Sequence, residues 1–77
     1  MYQYLPIPEQ LYSPDLGPYH SFGIVAIKVC DGEEQQKAFA SDVSTDRDFV
    51  AGLAARCTAA QLDPIHLKDI VLDSIGR

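Results

Sequence analysis

Residues Ser44–Gly76 read STDRDFVAGLAARCTAAQLDPIHLKDIVLDSIG, and this stretch decides the fold. Thr45, with Asp48 three residues later, resembles a capping box with Asp in place of Glu, which predicts a first helix opening at Ser44 or Thr45. Asp46 and Asp48 also suit the positive end of a helix dipole. Phe49, Val50, Leu53, Ala54 and Cys57 then recur at helical spacing as one apolar stripe, which fades near Ala60. A second helix restarts with Asp63 as N-cap and Pro64 at the first helical position, where a missing N–H costs nothing. Leu62 and Leu67 are spaced as a hydrophobic staple, and Leu67, Ile70, Val71 and Ile75 form the expected buried stripe. Ile65 and Leu72 fall off that stripe and are expected to meet the first helix or another chain; Gly76 is the expected C′ residue. The short connection makes the two helices antiparallel neighbours.

Upstream of the helices, His20–Cys30 is rich in β-branched and aromatic residues and predicts a strand. One face carries Phe22, Ile24, Ala26 and Lys28, the other Gly23, Val25, Ile27 and Val29. Both faces are mostly apolar, so this strand is expected to be central and covered, at least in part, on both sides. Asp31-Gly32 is a type I′ turn signal. A two-residue turn pairs Cys30 with Glu33, and so Lys28 with Gln35, Ile24 with Phe39 and Val25 with Ala38. A four-residue loop would instead set Lys28 against Lys37, an unfavourable like-charge pair, so the tight turn is preferred and a third strand follows at about residues 34–43. Residues 1–18 hold Pro6, Pro8, Pro14 and Pro18 beside several Tyr and aliphatic anchors, and predict an extended arm or edge strand. Ser13–Pro18 reads as a turn cluster.

These elements predict one small α+β domain over residues 1–77. It comprises a Pro/Tyr-rich arm or edge strand (1–18), a β-hairpin (19–43) and a helical hairpin (45–76). The sheet is a two- or three-stranded antiparallel meander with the helical hairpin packed on it. At 77 residues such a domain buries only roughly 60–65% of its unfolded surface, so its stability is thin, and domains of this size often gain help from disulfides, metals or a partner chain.

Eleven acidic and six basic side chains give a net charge of −5. The basic residues Lys28, Lys37, Arg47, Arg56, Lys68 and Arg77 are scattered and offer no clustered footprint for phosphates or an anionic membrane surface, which weighs against both partners. Two cysteines are too few for a disulfide framework, and Cys30 and Cys57 are expected to be buried free thiols. The first basic residue is Lys28, with no apolar segment of the signal-peptide kind before it, and the longest apolar run, Phe22–Ile27, is far short of a membrane span. A reducing cytoplasm is the expected compartment.

The chain resembles a family of short uncharacterised bacterial proteins, found mostly in clostridial Gram-positive species and classed only as a domain of unknown function. The resemblance rests on Phe22-Gly23-Ile24, on Ser44-Thr45-Asp46-Arg47 with Val50, and on Cys57, Leu62, Pro64, His66, Leu67, Asp69, Val71 and Asp73, across roughly residues 20–75. It implies a small intracellular bacterial protein and no particular activity. The chain departs from the family pattern in helix one. There the small run Ala51-Gly52-Leu53-Ala54-Ala55 replaces acidic and bulky aliphatic residues.

Few residues suggest chemistry. His66, Asp69 and Asp73 stand at i, i+3 and i+7, one face of the second helix, and could together hold a divalent metal; a solvated helix face is the plainer reading. Cys57 with His66 would make a nucleophile pair, and adding Cys30 and His20 a four-ligand zinc site, but no paired C-x-x-C or H-x-x-x-H spacing supports either. The aspartates at the start of helix one would repel phosphate. Asp31-Gly32-Glu33-Glu34 lacks the alternating ligands of a calcium loop. Tyr2, Tyr4, Tyr12 and Tyr19 fit an interface, since their rings are apolar and their tips can stay wet; the arm could equally fold back over its own sheet. The resulting expectation is a non-enzymatic protein-interaction or regulatory module without a cofactor. Tyr2, Tyr4, Tyr12, Ile65 and Leu72 are the contact candidates, and a small metal-binding protein is the alternative.

Overall fold

The structure, a computed structural model, describes residues 1–75. Strand β1 (Tyr2–Ser13), β2 (Gly17–Cys30) and β3 (Glu33–Ser44) form an antiparallel meander in the order β1-β2-β3. Helix α1 (Arg47–Ala59) follows, then a 3-10 turn (Pro64–His66) that runs into α2 (Leu67–Ile75). The expected arm is therefore a full edge strand. Gly76, the expected C′ residue of the last helix, lies outside the described residues.

Both helices lie on one face of the sheet. Along β2 the alternation sends Ile24 and Ala26 into the core with Tyr4, Ala40 and Val43, where they meet Val50, Leu53, Ala54 and Cys57 of α1 and Leu67 and Val71 of α2. Helix α1 lies chiefly over β1 and α2 over β3, so each helix rests on its own strand. The stripe expected on α1 is the one buried, with Phe49 half-buried at its margin. On α2, Leu67 and Val71 are buried and Ile70 packs against the core, but Ile75 at the helix end is exposed. The molecule measures 44 × 26 × 20 Å, and its shortest dimension holds one sheet and one helix layer at roughly 10 Å each. Among the described residues no helix lies over the other face of β2, which was expected to be covered in part.

The turn forms as expected. Asp31 and Gly32 both take positive φ, 52° and 79°, and pair Cys30 with Glu33 and Lys28 with Gln35. Beyond it the register departs from the expected one. Ile24 faces Ala40 and Val25 faces Phe39, because Lys37 is an extra residue between the pairs Ile27–Gln36 and Ala26–Ala38. An unbroken ladder would place Lys37 and Phe39 under the helices. The bulge puts Ala38 and Ala40 there instead and turns Phe39 to the opposite face. A second irregularity between Ile24 and Phe22 centres on Asp42, held at φ 53°.

Helix α1 starts later than expected. Its N-cap is Asp46, whose carboxylate accepts the N–H groups of Asp48 and Phe49 at 3.0 and 3.2 Å. Ser44 belongs to β3, and its hydroxyl accepts the Asp46 N–H at 3.0 Å. The Thr45–Asp48 capping box does not form. At the other end Gln61 sits at φ 49°, with the Gln61 and Leu62 N–H groups donating to the Thr58 and Cys57 carbonyls, a Schellman closure without glycine. Asp63 caps the next turn by accepting the Ile65 N–H at 3.1 Å, as its position before Pro64 predicted.

The Gln61 side chain also ties α1 to the edge of β1. Its Oε1 accepts the Tyr2 N–H and its Nε2 donates to the Tyr2 carbonyl, both at 2.8 Å. The Thr58 hydroxyl accepts the Tyr4 N–H at 2.9 Å. Pro6 and Pro8 occupy the next positions with the same outward-facing nitrogen, so they have no N–H to leave unpaired there.

Candidate functional site

The face away from the helices is built by the odd-numbered residues of β1 and β2 and by the bulge in β3. Leu5, Val25 and Phe39 are direct neighbours across the three strands, as are Gln3, Ile27 and Gln36 one row toward the hairpin end. Ile7, Val25, Ile27, Gln36 and Phe39 line a shallow apolar groove on this face. Val25 is 7% exposed, screened by Leu5 and Phe39 on either side, and those two are each 36% exposed. Aliphatic and aromatic side chains thus stand in a contiguous patch with water above them.

One end of the patch is closed by a hydrogen-bonded cluster. Glu9 reaches from β1 across β2 to β3, where its Oε1 accepts the Asp42 N–H and its Oε2 the Ser41 hydroxyl, both at 2.8 Å. It passes over Gly23, whose missing side chain makes the room: a Cβ there would lie 2.8 Å from Glu9 Oε1 and 2.5 Å from the Ala40 carbonyl oxygen. The Asp42 carboxylate in turn accepts from the Tyr19 phenol at 2.7 Å and from the buried Ser21 hydroxyl at 2.5 Å. Those bonds, Ser21 first and Tyr19 second, hold the Asp42 carboxyl below its usual range, and the bond to Asp42 raises the Tyr19 phenol. Both carboxylates are thereby committed to fixing the β3 irregularity.

The residues singled out in the sequence scatter. Tyr4 is core: it is 2% exposed, its hydroxyl donates to the Leu62 carbonyl, and burial foremost pushes its phenol up to about 12. It is not a contact candidate. Tyr2 is half-buried and shares a groove with Ile65, Lys28 and Lys37 on the helix side. Tyr12, Ile65 and Leu72 are 73%, 77% and 62% exposed, and Leu72 flanks a groove between α2 and β3 with Val71 and Ile75.

His66 lies in the 3-10 turn and not on α2, which alters the spacing assumed for His66, Asp69 and Asp73; all three are exposed. Among the described residues no group of three or more His, Cys, Asp or Glu side chains is placed to hold a metal ion. His20 and Cys30 stand ten residues apart on one strand, roughly 33 Å, so they cannot share a zinc. Cys57 is buried as expected, and burial pushes its thiol up, against the direction an activated nucleophile needs. Cys30 is exposed at the hairpin end, a correction to the expectation of two buried thiols.

Leu5, Ile7 and Phe39 were not among the candidates. Leu5 and Ile7 carried a signal in the alternation Leu5-x-Ile7, which sets both on one face of β1 before Glu9 interrupts it. Phe39 carried none, because its face depends on the bulge at Lys37.

A three-stranded antiparallel meander with two helices on one face defines a two-layer α+β domain. Within that class the chain belongs to a family of unknown function, DUF6514, whose model matches residues 2–77. Comparison with curated proteins and with solved structures gave no match. No helix among the described residues is long and apolar enough to cross a membrane.

Proposed function

We propose that the protein is a non-enzymatic interaction module, regulatory in the sense that it acts by binding, and that it docks a protein through the uncovered sheet face. The observation that carries this reading is the patch Leu5, Ile7, Val25, Ile27 and Phe39, apolar and without a covering layer. The strand edges favour a face over β-strand addition. On β1 the Tyr2 and Tyr4 amides are taken by Gln61 and Thr58, and Pro6 and Pro8 have none to offer. On β3 two irregularities in its pairing with β2 interrupt the regular strand that an added strand would have to follow. A net charge of −5 favours a protein over a nucleic acid as partner. The free, exposed Cys30 fits a reducing, cytoplasmic compartment, and the family resemblance fits a bacterial one.

The test is affinity capture from the native cell with the wild-type chain and with Phe39→Glu. The reading predicts a protein retained by the wild type and lost with the variant. Equal recovery by both would overturn it.

A further inference from the structure

We propose that the occupant of the uncovered face is a second copy of this chain, an inference that rests on reading that face as the interaction surface. Two sheets would pack face to face with the helices outside, as in an aligned β-sandwich with sheets roughly 10 Å apart.

Shape is the first argument. Strands β1 and β2 run 12 and 14 residues side by side, and β3 pairs along β2 from Phe22 to Cys30. At about 3.3 Å per residue and 4.8 Å per strand the face projects on the order of 500 Å², so two copies would bury on the order of 1,000 Å². That is the size at which a specific interface becomes tenable. It is reached only if the whole sheet is covered, which another sheet of the same length does and a single docked helix does not.

Charge is the second argument. A two-fold interface brings each patch against its own copy, so a patch with free charge would oppose itself. This chain carries −5 overall, yet the middle of the face, from Gln3 and Leu5 across Val25 and Ile27 to Phe39, has no charged side chain. Glu9 and Asp42 stand at one end with their oxygens already accepting hydrogen bonds from Ser41, Tyr19, Ser21 and the Asp42 amide. Glu34, opposite Val29, lies at the other end. Glu33, opposite Cys30, falls on the helix-side face, and the remaining acidic residues lie in turns, caps and helices, where a second copy would not meet them.

The test is sedimentation equilibrium of the full chain, the Leu5→Lys variant and the Phe39→Glu variant, from about 10 μM to about 500 μM, with circular dichroism as a check on folding. Because Leu5 and Phe39 are each 36% exposed in the single chain, at least one variant is expected to keep the wild-type spectrum. The wild type is expected at twice its 8.5 kDa chain mass, and the folded variant is expected to dissociate ~10-fold or more readily. A wild type that stays at the chain mass throughout, or a dimer indifferent to both substitutions, would overturn the assignment. The capture experiment separates the two proposals. A monomer whose Phe39→Glu variant still loses a different protein overturns the second copy alone. A monomer with no Phe39-dependent capture overturns the interaction surface as well.

Discussion

Tyr4 joins the edge strand to the C-terminal end of α1 and the connection that follows it. Its amide is held by Thr58, its hydroxyl by the Leu62 carbonyl, and its ring lies in the core. Burial favours the neutral phenol and lifts its pKa from 10.0 to about 12. The associated stabilisation is therefore complete below pH 10 and is lost as the pH rises through about 12, by on the order of 2 kcal/mol. Denaturant titrations across that range should show the fall in the wild type and a flatter curve in Tyr4→Phe; parallel curves would remove Tyr4 as the cause. Gly23 makes the opposite kind of contribution, by absence. A methyl group there meets the Ala40 carbonyl, which is backbone and cannot swing aside, so Gly23→Ala should cost ~1–3 kcal/mol in chemical unfolding. Sequence alone could flag Tyr4 as an apolar anchor with a polar tip. It could not assign it to core or interface, because that depends on partners 54 and 58 residues away.

At the scale of elements, local chemistry and long-range pairing divide the outcome. The Asp31-Gly32 turn, the Asp63-Pro64 restart and the stripe on α1 were legible because each depends on neighbours within a few residues. The start of α1 was displaced because Ser44, Thr45 and Asp46 can all cap a helix, and the choice among them falls to the sheet: β3 runs through Ser44. Asp46→Ala should thus lower stability by about 1 kcal/mol while Thr45→Ala leaves it within about 0.5 kcal/mol, measured by thermal unfolding. Equal losses would return the cap to Thr45. The bulge at Lys37 had no local signal; it follows from which side chains fit under helices. Alanines at 26, 38 and 40 let the helices approach the sheet, and the small run in α1 suits the same packing, with Ala54 1% exposed. Gly52 is not needed for that approach, since the nearest atom to an added Cβ is Arg56 Nη1 at 3.9 Å. Gly52→Ala should therefore stabilise the protein by roughly 0.5–1 kcal/mol, seen as a raised denaturation midpoint.

The molecule as a whole has two unlike sheet faces. One is sealed by helices, the other is apolar and open except where the Glu9–Asp42 cluster closes its end. The alternation of β2 announced two apolar faces, and the meander followed from the turn signals. What covers which face was not legible, since two amphipathic helices are enough for one face only and nothing local selects it. The polar cluster was equally hidden, assembled from Glu9, Tyr19, Ser21, Ser41 and Asp42 on three strands. Methyl-resolved NMR of the Ile-, Leu- and Val-labelled protein, in a concentration series and with any captured partner, reads this asymmetry directly. Association should perturb the methyl groups of Leu5, Ile7, Val25 and Ile27 and leave those of Ile24, Val50 and Leu67 in place. Perturbations gathered on Ile65 and Leu72 with Leu5 and Ile7 unmoved would contradict the assignment of the open sheet face as the contact surface.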